Sequence, residues 1–578
     1  MLNGLDHKNR MRLRIHHLFS LFIVIIAAIG TYWELPKTFF QQDEWQTLST
    51  ITYYYNKGIS GVIKSFLPAD AFSHFNPLAA IFPWFEYILY YTNFSSYAWQ
   101  SIILHIVNSV LLYTFVFFWF KRKGIAFVAA LFFAVNSIPH QAVTWVVNTN
   151  SYEVSTIFIL LSLLFFQQFV SEKRHRRMHI FFSIGLLFIS LLFHENGIFL
   201  FLFYPLIVLL QQKLERKKLL PILSTVMAVF VFIFFLIRVP FFFGFLHRLP
   251  AITDITHPPI MVYPYRIVSY IFKSLAGSVI PERNLIFVSE QVTRLAYPQF
   301  LTPDNLPNPY VAQSIVFDMM SYVITIFFAC LIIFFIRLTQ QKKFVERIVW
   351  SLIFILTSIL PYGFVLGKAG YASILEPKFF YVASIGVSML IALIIASLVQ
   401  RFSGRRIFIT GIYFLYGLYI LFHVFSVRTY LDNLKKISVQ RKAFLTTIQS
   451  SYQRLPQQVI FFTQSDTAYY GMPDTEKNLP VQVGFGKMLM VWYQKKEQFP
   501  SCLYEDHFLL DLLSQGYRYC DGRGFGYFRQ YDKLLATLKE NKLLPEDVIA
   551  YSWNGKTQKF TSITGDIRRK LKEVLDLQ

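Results

Sequence analysis

Charge is what this sequence has least of. Only 15% of its 578 residues are charged, where a soluble chain of that size carries about 25%. With 54% hydrophobic residues and a mean hydropathy of +0.43, the shortage excludes an ordinary soluble protein. Acidic residues are scarcer than basic ones, 33 against 55, for a formal net charge of +22. Such an excess usually points to nucleic acid. Here the basic residues stand in short clusters between apolar runs, which is the pattern of cytoplasmic loops, and nucleic acid is excluded as a partner. Internal repeats, heptads and low-complexity tracts are missing, so repeat arrays and coiled coils fall away. No small-x-small cleavage site follows the first apolar run, which ends instead in Thr31-Tyr32-Trp33-Glu34. That excludes a cleaved secretory signal and predicts an uncleaved first helix. Cysteine is limited to three residues. Cys330 lies in an apolar run and is expected to pack there. Cys502 and Cys520 both lie in the tail, where pairing is one of two open outcomes.

What the chain does have is apolar runs of membrane length. A bilayer core of roughly 30 Å needs about 20 apolar residues of helix. Eleven segments qualify, near 18–34, 97–120, 124–138, 151–170, 178–193, 196–212, 219–238, 315–337, 347–364, 379–400 and 407–427. The fold class is therefore an all-α polytopic membrane protein. Short basic connections alternate with longer ones nearly free of Lys and Arg. The alternation predicts a cytoplasmic N-terminus and an extracytoplasmic tail.

Three regions do not span: outer loops 35–96 and 239–313, and the tail from Arg428 onward. The expected domains are a membrane domain over 1–430 and a small α/β domain over 431–578. Gln458 to Phe462 reads as a buried strand, and Asp532 to Lys539 and Ile567 to Leu577 read as amphipathic helices. Tyr263 to Ile280 reads as an interfacial helix whose Arg266 and Lys273, with Arg283, face lipid phosphate or snorkel.

Polar residues recur at one set of span ends. Asp43-Glu44 follow the first span. His74-Phe75-Asn76-Pro77 lie in the first outer loop. His140, Trp145 and Glu153 follow the third span. His194-Glu195-Asn196 form the turn between the fifth and sixth. Glu376-Pro377-Lys378-Phe379-Phe380-Tyr381 open the tenth. Ionisable residues at a membrane are costly and mark function by default. The chemistry that fits is group transfer from a lipid-linked phosphate held at headgroup depth. A carboxylate there accepts a proton from an acceptor hydroxyl. Lys378, His194 or Arg266 hold the leaving phosphate. The simpler reading of Asp43 is a helix cap, with Gln46 reaching back from the third helical position. The simpler reading of His105, inside the second span, is an interhelical hydrogen bond. Tyr53, Tyr54, Tyr55, Tyr90 and Tyr91 read as interfacial belts, and Phe39, Phe40 and Trp45 as rings seating the acidic loop in the interface.

These residues carry a resemblance to the GT-C superfamily of integral-membrane glycosyltransferases. The branch it resembles most includes protein O-mannosyltransferases, aminoarabinose transferases and the transmembrane-and-TPR mannosyltransferases. Asp43-Glu44 is similar to that superfamily's acidic first-loop pair, and His74-x-Asn76-Pro77-Leu78 to a His-x-Arg-Pro-Leu motif. Leu104-His105-x-x-Asn108 resembles the second span, and Pro139-His140 with Trp145 the loop before the fourth. His194-Glu195 is similar to a Lys-Glu pair, and Glu376-x-Lys378-Phe379-x-Tyr381 to a Glu-Arg-Tyr-x-Tyr motif. Asn76 and Lys378 stand where Arg is usual, and His194 where Lys is usual. The resemblance covers about residues 15–430, and the tail lacks a 34-residue TPR period.

The resemblance implies an inverting glycosyltransferase of the plasma (inner) membrane. It implies a polyprenyl-phosphate sugar donor, hexosyl or pentosyl, and an envelope glycan, lipid or protein acceptor. Asp43 is then the general base, with Glu44 as its neighbour or substitute. The implied substrate-binding residues are His74, Asn76, His140, Glu153, His194, Glu195, Arg266, Glu376, Lys378 and Tyr381. A divalent cation, Mg or Mn, is optional, with Asp43, Glu44 and His140 as candidate ligands. The rival readings are a transporter or flippase of lipid-linked saccharides, and a ligase or polymerase. A transporter calls for midplane polar residues and repeats, and a ligase lacks the acidic first-loop pair.

Overall fold

A computed structural model describes residues 7–41, 43–56, 58, 60, 77–171, 176–210, 220–221, 223–232, 262–277, 279–301, 315–339, 342–364, 377–467, 477–481, 484–495, 497–505 and 515–575. The chain runs through α1 (His7–Tyr32), α2 (Asp43–Asn56), α3 (Pro77–Tyr90), α4 (Phe94–Phe120), α5 (Lys123–Val135), α6 (Gln141–Thr144), α7 (Ser155–Ser171), α8 (Arg176–Phe193) and α9 (Leu200–Leu210). It continues through α10 (Leu223–Phe232), then α11 (Val262–Gly277), α12 (Glu282–Ala296), α13 (Phe317–Thr339), α14 (Lys342–Ile359), α15 (Phe380–Arg401) and α16 (Arg406–Ser451). The tail adds β1 (Gln458–Ser465), α17 (Phe485–Tyr493), β2 (Gly516–Cys520), β3 (Arg523–Phe528), α18 (Tyr531–Asn541), β4 (Val548–Asn554), β5 (Lys559–Ser562) and α19 (Thr564–Val574).

Each of the eleven apolar segments overlaps a helix among the described residues. Seven helices among the described residues are long and apolar enough to cross a membrane, and four shorter apolar helices accompany them. α13 and α16 carry rows of exposed rings and aliphatic side chains, among them Phe327, Phe334, Phe414, Leu421 and Phe425. In water such faces would associate; in lipid they are solvated. Cys330 is exposed on α13, so it is directed outward rather than packed as expected.

The chain divides into two compact units. The first comprises 1–33, 68–79 and 99–430; the second comprises 34–67, 80–98 and 431–578. In the first unit, α14 and α15 approach so closely that a Cβ on Gly386 would meet Ile355 Cγ1 at 2.8 Å and the Ser351 carbonyl at 3.1 Å. Only glycine fits there, as is usual where membrane helices touch. α11 packs against α13. The Thr325 hydroxyl donates to the Phe272 carbonyl at 2.7 Å, and Lys273 Nζ meets Asp318 Oδ1 at 2.6 Å. Both charged side chains are buried. Lys273 therefore faces a carboxylate rather than lipid phosphate. A buried ammonium needs a close counter-charge, which bulk headgroups cannot supply from outside the packing.

In the second unit, a five-stranded sheet runs β2-β3-β1-β4-β5. β1 pairs parallel with β3 and β4, while the edge strands pair antiparallel. β1 is buried along most of its length, as its apolar run predicts for a central strand. Ile460, Phe462, Val548 and Ala550 meet Leu534 and Leu538 of α18 and Ile567 and Leu571 of α19. Both predicted amphipathic helices thus lay their apolar stripes on one sheet face.

Cys502 and Cys520 form a disulfide, with Cα atoms 6.5 Å apart and a sequence separation of 18. Closing a loop of that size stabilises by about 3 kcal/mol. Reduction is expected to lower the hydrogen-exchange protection of β1 and β3 amides by that amount in the full-length protein. Equal protection with and without reductant would contradict it.

Three of the outer-loop tyrosines have protein partners within the second unit. Tyr91 donates to the Val491 carbonyl at 3.3 Å, and the Tyr53 ring lies 6.4 Å from Tyr504. Tyr90 packs edge-on to Tyr97 at 5.3 Å. Tyr53, Tyr90 and Tyr91 thus meet protein groups, a ring for each of the first two and a backbone carbonyl for the third.

Candidate active site

The acidic pair opens α2 in the second unit. Asp43 is half-buried and Glu44 is buried, at 3% exposure. The Gln41 backbone N–H donates to Glu44 Oε2 at 3.1 Å. Glu44 thus reaches back across the helix start, and Gln46 is exposed. Carboxylates in a first turn also suit the positive end of the helix dipole. The flanking rings hold this turn. Trp45 packs on Phe39 and Phe40 at 5.7 and 5.1 Å, and Trp492 of α17 meets Phe39 at 5.9 Å and Trp45 at 6.5 Å. Phe40 also meets Phe94 and Tyr97. All three rings are fully or almost fully buried, so they anchor the loop to protein instead of seating it in lipid.

In the first unit a cation and several rings converge where helices end. Lys378 Nζ sits 4.5 Å above the Trp145 ring. Its neighbour Phe379 stacks on Tyr362 at 4.6 Å and lies 6.4 Å from Tyr152. Tyr152 lies 4.8 Å from the His194 ring. His194 Nδ1 accepts the Asn196 backbone N–H at 3.2 Å, which leaves Nε2 as the N–H of the neutral ring. The Tyr362 hydroxyl donates to Asn196 Oδ1. Glu195 opens the same 3-10 turn and is half-exposed. Lys378 is thus linked to His194 through the rings of Phe379 and Tyr152.

Below them lies a buried polar network. His105 Nε2 donates to the Ala134 carbonyl at 3.1 Å, and its Nδ1 accepts from Tyr381 Oη at 2.9 Å. Asn108 Nδ2 donates to Tyr381 Oη at 3.2 Å and to the Glu153 carbonyl at 2.9 Å. Ser101 donates to Glu153 Oε2 at 2.9 Å. His105 makes the interhelical bonds expected of it. Tyr381 and Glu153 are both 0% exposed, and the network ties α4, α5 and α15 together.

His140 donates from Nδ1 to the Ser137 carbonyl at 2.8 Å and packs on Tyr430 at 4.3 Å. Burial lowers its pKa to about 4, so the ring is neutral at pH 7. Among the described residues no group of three or more His, Cys, Asp and Glu is placed to hold a metal ion. Asp43 and Glu44 fall in the second unit and His140 in the first. His74, Asn76 and Glu376 lie outside the described residues, and of Arg266 only the backbone, on α11, is described.

Sequence reasoning missed Tyr362 as the partner of Phe379. A signal existed in Pro361-Tyr362-Gly363-Phe364, a break closing the ninth span. The partner it stacks on is seventeen positions away across 365–376, which no periodicity reveals.

No protein-family model and no curated protein matches the chain. Among solved structures it is similar to the oligosaccharyltransferase of Archaeoglobus fulgidus tethered with an acceptor peptide containing the NVT sequon. The two are 12% identical with a TM-score of 0.42, over 78% of this chain and 61% of that one. The apo form of the same enzyme gives 13% identity and a TM-score of 0.40 over 77% and 62%. ArnT from Cupriavidus metallidurans bound to undecaprenyl phosphate gives 13% and 0.36 over 82% and 84%. This chain spans about three fifths of the oligosaccharyltransferase's length. Likeness of this degree leaves the functional argument to the chain's own residues.

Proposed function

We propose that this chain is a glycosyltransferase that moves a sugar from a polyprenyl-phosphate donor to an extracytoplasmic acceptor. The observation that carries the proposal is the acidic pair. One carboxylate is buried and tied to the backbone, and its neighbour is half-exposed, directly after the first span. That division fits Asp43 as the base and Glu44 as its positioning residue.

In the proposed reaction the acceptor oxygen attacks the anomeric carbon while its proton passes to Asp43. The bond from that carbon to the phosphate oxygen breaks, and polyprenyl phosphate leaves with the electron pair. Attack from the face opposite the phosphate inverts the centre. A cation and an N–H such as those of Lys378 and His194 in the first unit suit a leaving phosphate. No step requires a metal. The alternation of basic connections supports a cytoplasmic N-terminus and an outer site.

Lys378→Ala is expected to weaken use of the donor about tenfold to a hundredfold, the range of a charge-assisted hydrogen bond. The effect should fall on KM for the donor more than on KM for the acceptor, read by varying each in turn. The proposal as a whole is tested by giving purified protein labelled polyprenyl-phosphate hexoses or pentoses with membrane extract. Label should appear in a non-prenyl product; none from any donor would sink the reading. A second reading, transport of an intact lipid-linked saccharide, draws on the buried polar group around Glu153.

A further inference from the structure

The last two turns of α3 direct a wholly apolar face outward. Phe85, Ile88 and Leu89 are 61%, 65% and 72% exposed, while Trp84, Glu86 and Tyr87 are buried. Positions 85, 88 and 89 share one side of a helix, because three and four residues make about one turn. The buried side is held by protein: Tyr87 packs on Tyr91 at 5.1 Å, and Tyr90 edge-on to Tyr97 at 5.3 Å. Glu86 is the helix's one charged residue, and it lies on that side. The outward face therefore holds no charge, and in water three large apolar side chains together would seek cover.

The run of the chain identifies the cover. α3 ends at Tyr90, Tyr91 breaks the helix with φ at 54°, and α4 begins at Phe94. α4 is long and apolar enough to cross a membrane. At 1.5 Å per residue its 27 residues reach about 40 Å, which is the bilayer with its headgroups rather than its hydrocarbon core of roughly 30 Å. Lys121, Arg122 and Lys123 follow at its far end, where a basic cluster marks the headgroups of one leaflet. Phe94 then stands among the headgroups of the other leaflet, and the end of α3 is tied to that depth by three residues of chain. Between Pro77 and Phe120, Glu86 is the only Asp, Glu, Lys or Arg. No charge on the outward face or in the connection draws α3 away from the membrane into water. A helix with an apolar stripe, joined to a span at headgroup depth, lies with that stripe at the acyl boundary.

We infer that the outward face of α3 is a docking surface for the bilayer, with Phe85, Ile88 and Leu89 inserted at the acyl boundary of the adjoining leaflet. The docking stands without the function proposed above; its use in sugar transfer rests on that reading. Rings link α3 to the acidic turn within the second unit. Tyr90 meets Tyr97 at 5.3 Å, Tyr97 meets Phe40 at 5.6 Å, and Phe40 meets Trp45 at 5.1 Å, two residues past Asp43. A helix seated in the leaflet thus sets the depth of Asp43 at that of a lipid-linked phosphate.

The test uses full-length protein in vesicles of phosphatidylethanolamine and phosphatidylglycerol, doped with a phospholipid that carries a diazirine on one acyl chain. After irradiation, mass spectrometry of unmodified protein should find label on Phe85, Ile88 and Leu89 about tenfold above the level on α18 and α19. This reading needs no turnover and no variant. Ile88→Asp with Leu89→Asp should strip most of the label from Phe85, while Phe327 and Phe334, exposed on α13, keep theirs and report that the protein is folded and inserted. In that variant, transfer from a long-chain donor in the vesicles should fall about tenfold, and a short-chain donor in detergent should be used as well as by wild type. Label on α3 no higher than on α18 would overturn the inference, as would crosslinks from α3 to a second copy in place of lipid. Label on α3 with no sugar transfer from any donor would strike the proposed function and uphold the docking; transfer without label would strike the docking alone.

Discussion

Asp43→Asn lowers sugar transfer by about 10²–10⁴-fold, the range expected when a general base is lost. The amide keeps the size of the side chain and its place at the start of α2, so folding should change little. Glu44→Gln is expected to cost far less, about tenfold or under, since a glutamine oxygen still accepts the Gln41 N–H and the residue acts through position rather than on substrate. The asymmetry separates the two carboxylates. Initial rates with saturating donor and acceptor check it, with hydrogen exchange of α2 as a folding control. If Glu44→Gln were the more damaging variant, the roles would be exchanged.

The second large effect is on stability. Asp318→Asn or Lys273→Met should each destabilise the membrane part by about 3–5 kcal/mol, because either breaks a buried ion pair. Lys273→Met with Asp318→Leu should recover most of the loss, as replacing both members of a buried pair with apolar residues usually does. Thermal unfolding of the three variants in detergent measures this, and the energies should be far from additive. A double variant as unstable as the sum of the singles would show that each residue acts through separate contacts.

Much of the membrane part was legible because its physics is one-dimensional. A run of apolar residues such as 379–400 must become a helix in lipid, and α15 does. β1 and the stripes of α18 and α19 were legible for the same reason: period and burial are written locally. Partners were not. Lys273 reads as a headgroup contact until Asp318, 45 positions on, is seen against it. Trp45 reads as an interfacial ring until Trp492 is found beside it. Nor does the sequence show that the Tyr381 hydroxyl meets His105 and Asn108, more than 270 positions away. The acidic pair stood out because two carboxylates beside a span are rare, but that Glu44 is buried and Asp43 half-exposed is a property of the fold.

The most direct test of the central claim follows the donor's phosphate. The protein is reconstituted in vesicles with a polyprenyl-phosphate sugar labelled in both the sugar and the prenyl chain. Glycosyl transfer predicts that free polyprenyl phosphate accumulates mole for mole with labelled acceptor, in wild type and not in Asp43→Asn. Movement of the intact donor across the bilayer with both labels still joined, equally in both proteins, would contradict it.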